Sequence, residues 1–186
     1  MSFDQVEFRS RTDARAWLEA NHNTAGTVWA VTYKKHTPYY LAYGDLISEL
    51  LCWGWVDSVS GRVDEDRSRL RISPRSPKSA WSSVNKTKVE EARDAGLMMP
   101  AGEAMITIAK ANGMWQFLDD VERLAVPDDL EAALGLKRPV WDAYPRSVKR
   151  GTLEWIKTAK RAETRAKRIS EVAEAVAEEL RPKIFR

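Results

Sequence analysis

The sequence predicts an α+β protein, with a small antiparallel sheet and helices in its N-terminal half and a helical C-terminal half. Strand-forming and alternating segments occur only before Pro74, whereas apolar residues at helical spacing dominate after it. No repeat, low-complexity tract or flexible linker interrupts the chain. We therefore expect residues 1–186 to form a single folding unit, with an α+β subdomain over 1–78 and a helical subdomain over 79–186.

The N-terminal half begins with a short strand at Val6–Phe8, followed by a helix that Ser10 or Thr12 can cap. The strongest strand signal is Gly26–Lys35, where nearly all residues are strand formers. A second helix follows, for which Asp45 is the expected cap. Because it is apolar around most of its circumference, we expect it to be central and buried.

Two further strands, Val56–Val63 and Arg69–Ser73, are predicted on either side of an acidic turn, Asp64–Asp66. The second strand alternates apolar with cationic residues, which gives it one apolar and one cationic face. Pro74 and Pro77 end it and keep the following residues extended.

The remaining elements are predicted to be helical, and Gly or Pro separates most of them. The last and longest pattern has no Gly or Pro beyond Gly151, so it is either one helix or two with a kink near 162–164. The predicted segments are Trp81–Gly96 with Ser79 or Ser82 as its cap, Pro100–Asn112, Met114–Leu124 (helical or partly irregular), Pro127–Leu134, a short turn around Trp141, and Ser147–Leu180.

Composition excludes several classes of protein. A single cysteine, Cys52, excludes an intrachain disulfide framework, and with only His22 and His36 it leaves no plausible zinc ligand set. No cofactor motif is present. No stretch approaches 18 consecutive apolar residues and the N-terminus lacks a signal pattern, so we expect a cytoplasmic protein without membrane insertion.

Charge is concentrated rather than large overall. Between Arg67 and Lys88 there are seven cationic side chains, six serines and no carboxylate. This pattern is typical of an anion-binding wall, with Arg75 and Lys78 as charge donors and the N-terminus of the next helix adding positive potential. It is equally typical of a solvated strand face followed by an ordinary capped helix.

A second candidate feature precedes this run. Trp53 and Trp55 flank a glycine where the buried helix meets a strand, and Asp57 follows two residues later. The two rings either wall a pocket or belong to the core. Asp57 is either a fixed carboxylate in that pocket, paired with Arg75, or a cap for backbone amides.

These features predict a cationic, aromatic-walled cleft that binds a small anionic or phosphorylated ligand. Two alternatives remain open: an enzyme that uses Asp57 as general acid or base, and a protein that binds nucleic acid or a protein partner through the basic segment Arg146–Arg168. The expected ligand-binding residues are Trp55, Asp57, Arg75, Lys78, Trp81, Ser82 and Asn85.

Several motifs together resemble one bacterial family over about residues 8–169. They are Leu51–Asp57, Ser73–Arg75, Ser79–Ser82 with Asn85, Gly96–Gly102 and Trp155–Ile169. This pattern is similar to that of the YdeI/OmpD-associated family, also called bacteriocin-protection proteins. The resemblance implies a link to envelope stress, to resistance against cationic peptides or bacteriocins, and to association with an outer-membrane porin. It brings no catalytic residues.

Overall fold

The computed structural model describes residues 3–185 and confirms the α+β class. The chain divides into two compact units, Met1–Phe117 and Leu118–Arg186. Every described strand lies in the first unit, which also contains two helices beyond residue 78. In the described part of the second unit, all regular elements are helical.

The first unit is built on a four-stranded sheet with strand order β1-β2-β4-β3. The strands are β1 (Gln5–Phe8), β2 (Val28–Tyr33), β3 (Trp55–Arg62) and β4 (Arg67–Pro74). β1 pairs parallel with β2, so the sheet is mixed, whereas the sequence predicted an antiparallel one. The difference arises because α1 (Arg11–Asn21) crosses over between the two strands, as a parallel pair requires.

The hairpin of β3 and β4 places Asp57 on the helix-covered face of the sheet. Asp57 is paired with Ile72, and Ser60 with Leu70, so β3 has one extra residue between these pairs. This β-bulge leaves Asp57 beside two core residues, because Leu70 and Ile72 are both buried. The half-buried arginines of β4 occupy the opposite face.

Helix α2 (Tyr43–Cys52) is central, as its apolar composition predicted, and six of its residues are buried. The predicted cap at Asp45 is wrong: Ala42 is the N-cap residue, and no side chain caps this helix. Asp45 lies in the first turn instead, where its negative charge is still favourable to the helix dipole.

One buried charge in this core is fully compensated. Glu49 on α2 is only 1% exposed, and it accepts hydrogen bonds from Arg11 Nε at 2.6 Å and Arg15 Nη1 at 2.9 Å. Two guanidinium groups therefore neutralise this carboxylate, as a buried charge requires.

Two helices complete the first unit, α3 (Ser83–Asp94) and α4 (Pro100–Ala111). Ser82 caps α3 by accepting a hydrogen bond from Asn85 N at 3.3 Å, and Ser10 caps α1 in the same way. Both caps were among those that the sequence offered.

The second unit has five α-helices and two short 3₁₀ helices within its described residues. The predicted helix from Ser147 to Leu180 is two helices, separated by residues 158–161, slightly before the expected kink. Arg161 has an extended backbone (φ −117°, ψ 144°), which ends helical geometry there. The α-helices are α5 (Asp119–Glu122), α6 (Asp128–Leu134), α7 (Arg138–Asp142), α8 (Arg146–Lys157) and α9 (Ala162–Ala177), and the 3₁₀ helices are Gly135–Lys137 and Lys183–Phe185. None of the helices within residues 3–185 has both the length and the apolar character needed to span a bilayer.

Gly102 should be intolerant of substitution. A Cβ at Gly102 would lie 2.3 Å from Cys52 O and 2.7 Å from Leu51 O, and these backbone atoms cannot move aside easily. We expect Gly102→Ala to lower the free energy of unfolding by about 1–3 kcal/mol. Denaturant titration followed by tryptophan fluorescence measures this, since six of the eight tryptophans lie in the first unit.

Gly26→Ala is the matched control, because nothing lies within 4 Å of a Cβ at Gly26. It should change the free energy of unfolding by less than about 0.5 kcal/mol. Equal stability of the two variants would contradict the close approach at Gly102.

Candidate functional site

Two of the predicted residues, Arg75 and Trp81, come together in a layered group of cations and indoles. The Arg75 guanidinium carbon lies 3.8 Å from the centroid of the Trp81 ring, and the Trp81 and Trp115 rings are 5.1 Å apart. Lys86 Nζ and Lys110 Nζ lie 5.5 and 5.3 Å from the Trp115 centroid. These five residues form what we call the Arg75 cluster.

The backbone fixes both ends of the segment that carries Arg75 and Trp81. Arg75 N donates to Gly54 O at 2.9 Å, at the turn between α2 and β3. Gly54 has a φ of +70°, and a Cβ there would meet Met105 Cγ at 2.8 Å, so only glycine fits the turn well. At the other end, Trp81 N donates to Met114 O at 3.2 Å.

The Arg75 side chain is buried without a full set of partners. It is 4% exposed, and its Nη2 donates to Ala80 O at 2.5 Å. Its Nε and Nη1 atoms are buried and have no hydrogen-bond partner among residues 3–185. Among residues 3–185, no carboxylate forms an ion pair with this guanidinium.

Burial lowers the pKa of Arg75 to about 10, and the charge of Asp57 opposes this shift. The charged form is disfavoured because the guanidinium has lost water without gaining a close counter-ion. The geometry therefore leaves a positive charge with unused donors beside an indole face, an arrangement that suits an anion.

Trp115 and Lys110 were missed by the sequence analysis. Lys110 lies near the end of α4 and Trp115 lies just after it. Both are far along the chain from the basic run that contains Arg75. The one available signal was the unusual number of tryptophans, which does not say which rings meet. Trp115 is half-buried, whereas Trp81 is only 1% exposed, so Trp115 is the accessible ring of the cluster.

Asp57 does not form an ion pair with Arg75. Its Oδ2 accepts a hydrogen bond from the Tyr43 hydroxyl at 2.7 Å. Tyr43 is largely exposed, but its hydroxyl group is turned toward Asp57. The pKa of Tyr43 is raised to about 12, mainly because the hydroxyl group loses water on burial and secondly because it donates to Asp57. The Asp57 side chain is half-buried, and its hydrogen-bond partner is the Tyr43 hydroxyl group.

The other predicted residues have different positions. Trp55 is in the core, 1% exposed, with its Nε1 donating to His22 O at 3.1 Å. Ser82 caps α3 through Asn85 N, so its hydroxyl oxygen is already an acceptor. Lys78 is exposed on the segment between Arg75 and Trp81.

In the second unit, acidic side chains neutralise much of the basic segment 146–168. Arg150 bonds to Glu122 and Glu154, while Lys157 and Arg165 pair with acidic residues earlier in the unit. Arg146, Lys149 and Arg168 donate to backbone carbonyls, and Lys167 approaches Glu171. Two exposed cations in this segment have no recorded partner within the described chain, Lys160 and Arg161.

No group of three or more His, Cys, Asp or Glu side chains within residues 3–185 is placed to hold a metal ion.

The pair of Tyr43 and Asp57 can be tested by titration. In the wild-type protein the Tyr43 hydroxyl should titrate near pH 12. Asp57→Asn should lower this pKa toward the ordinary value near 10, because it removes the negative charge that disfavours the phenolate. NMR of ¹³Cζ-labelled tyrosine measures both values, and an unchanged pKa in the variant would contradict the hydrogen bond.

Comparison with known proteins divides the chain in the same way as the structure does. Residues 6–105 match the family model described as a domain of unknown function (DUF8412). Residues 123–179 match the model described as bacteriocin-protection, YdeI or OmpD-associated. No curated protein and no solved structure matches the chain.

The first match covers more than half of the 186 residues and lies within the first unit, and the second match lies within the second unit. The predicted family resemblance is confirmed over residues 123–179, which contain the motif Trp155–Ile169. The motifs from Leu51 to Gly102 lie in the segment that the other model matches. The chain therefore belongs to the DUF8412 family, and its residues 123–179 match the YdeI or OmpD-associated, bacteriocin-protection model.

Proposed function

We propose that the first unit binds a small phosphate-bearing anion at the Arg75 cluster. The observation that carries this proposal is the buried Arg75 guanidinium, whose Nε and Nη1 have no hydrogen-bond partner in the described part of the chain. A buried donor without an acceptor costs about 1–3 kcal/mol, and more when it is charged. An anion that accepts from one of these nitrogens would recover part of this cost on binding.

The surroundings favour a ligand that is both anionic and partly flat. Trp115 offers a half-buried ring, and Lys86 and Lys110 lie against it. Lys78 is exposed on the segment between Arg75 and Trp81 and adds a positive charge close to Arg75 in the chain. Phosphate oxygens suit a guanidinium because they can accept two parallel hydrogen bonds.

Glu49 provides a comparison within the same unit. That buried carboxylate has two guanidinium partners, whereas no carboxylate of the described chain forms an ion pair with the buried Arg75. A cation needed only for stability would be expected to have such a partner, because an uncompensated buried charge is destabilising. The missing counter-ion at Arg75 therefore supports a role in binding.

The proposal predicts that binding and stability depend on Arg75 differently. Arg75→Met keeps much of the side-chain volume and removes the charge. It should weaken binding of pyrophosphate by at least about tenfold, since a charge-assisted hydrogen bond contributes roughly 1.5–3 kcal/mol. The free energy of unfolding of the free protein should fall by no more than about 1 kcal/mol.

Isothermal titration with pyrophosphate and with adenosine monophosphate measures binding, and tryptophan fluorescence reports on the indoles of the cluster. Arg62→Met is the matched control, because Arg62 is an exposed arginine of the same unit outside the cluster. The proposal fails if neither compound binds the wild-type protein, or if Arg75→Met binds as the control does.

A second candidate is nucleic-acid or protein-partner binding by the second unit. It is favoured by Lys160 and Arg161, which are exposed and form no ion pair with other described residues. Together with Thr158, Thr164 and Arg168 they line an open cavity of about 340 Å³. If this surface binds a polyanion, retention on single-stranded DNA should fall as salt rises, and the salt dependence should weaken when both residues become Ala. Retention that is unchanged by the double substitution would exclude polyanion binding at this surface.

Three further predictions from the sequence stay predictions: an enzyme that uses Asp57, a cytoplasmic location and a role in bacteriocin protection.

A further inference from the structure

The first unit has a cavity of about 310 Å³ that is separate from the Arg75 cluster. It lies on the helix-covered face of the sheet, between β2, β4 and the start of α2. Leu41, Leu46 and Leu70, all buried, form its apolar floor. None of its lining residues belongs to the Arg75 cluster. Its volume is at the lower end of the range for small-molecule sites.

Two tyrosines form the aromatic part of the cavity wall. Tyr40 is 48% exposed and Tyr43 is 61% exposed, although both rings line the cavity. The Tyr43 hydroxyl is held by Asp57 at 2.7 Å, which restrains the orientation of this ring. Large aromatic rings left exposed beside an apolar floor are a common feature of ligand sites, because they offer area at a small entropic cost.

The charged residues that line the cavity are Lys34, Lys35 and Arg69, and no carboxylate is among the lining residues. The Arg69 guanidinium carbon lies 4.4 Å from the centroid of the Trp29 ring. Because the register of β2 places Trp29 on the other face of the sheet, the charge of Arg69 is directed away from the cavity. Lys34 Nζ donates to Asp64 O at 2.8 Å and to Glu65 O at 2.7 Å.

These two carbonyls fix the Lys34 ammonium without neutralising it. An ammonium has three donors, so one N–H of Lys34 is left after the two bonds to the turn. The structure records no carboxylate within ion-pair distance of it among the described residues. Lys35, the next residue, is exposed and adds a second positive charge at the rim.

From these contacts we infer that this cavity binds a small amphipathic anion, with a flat apolar body between Tyr40 and Tyr43 and its acidic group at Lys34. Thr32, Ser60 and Ser68 line the same cavity, and their hydroxyl groups can donate to a carboxylate or sulfonate. An aromatic monocarboxylate has both parts at the required size. This site does not depend on the function proposed for Arg75.

The probe for this site is 1-naphthoate, compared with the uncharged 1-naphthalenemethanol. Titration followed by ¹H–¹⁵N NMR should shift amides of residues 32–35, 40–46 and 68–70. The naphthoate should bind at least about tenfold more tightly than the alcohol, because only the acid forms a charge-assisted bond. Lys34→Met should remove this preference while leaving weak binding of both compounds.

A second variant keeps the inference testable if Lys34→Met disturbs the turn. Ser60→Phe places a large ring in the cavity from an exposed strand position and should abolish binding. Val59→Phe is its control, because Val59 is an exposed neighbour on β3 that does not line the cavity.

Binding in the Arg75→Met variant should match the wild type, which separates this site from the one at Arg75. The inference is overturned if naphthoate shifts none of these amides at millimolar concentration, if the alcohol binds equally well, or if Ser60→Phe binds like Val59→Phe.

Discussion

The close approach of α2 and α4 fixes the geometry around Arg75. Met99 N donates to Cys52 O at 3.2 Å, and Gly102 packs directly against the same carbonyl. The residues that follow α2 form a turn at Gly54, and the Gly54 carbonyl accepts a hydrogen bond from Arg75 N. α4 starts at this contact, and the residues that follow its C-terminal end place the Trp115 ring 5.1 Å from the Trp81 ring. One backbone contact thus positions both sides of the cluster.

The first unit treats its buried charges in two ways. Around Glu49, two arginines supply full compensation, and this group contributes to a stable helical layer on the sheet. At Arg75, an indole face and a single carbonyl are the close contacts of the guanidinium, and burial lowers its pKa. This contrast is the physical basis of the proposal that Arg75 binds an anion.

Local patterns were predictable from the sequence, and long-range partners were not. Ser10 and Ser82 were identifiable as caps because a cap depends on residues three positions away. The parallel pairing of β1 with β2 depends instead on where the crossover helix packs. The hydrogen bond between Tyr43 and Asp57 depends on the register of β3, which contains a bulge. Trp55 had two open interpretations, and its burial in the core depends on Trp17 and the carbonyl of His22.

The central claim is that the Arg75 guanidinium receives an anion, and its Nε–H group reports this directly. In a ¹H–¹⁵N spectrum of the arginine side chains, adding pyrophosphate should shift the Arg75 Nε–H resonance and slow its exchange with water, because that donor gains an acceptor. The Arg11 Nε–H resonance should stay in place, since Glu49 already accepts a hydrogen bond from this nitrogen at 2.6 Å. An unshifted Arg75 resonance at saturating pyrophosphate would contradict the account.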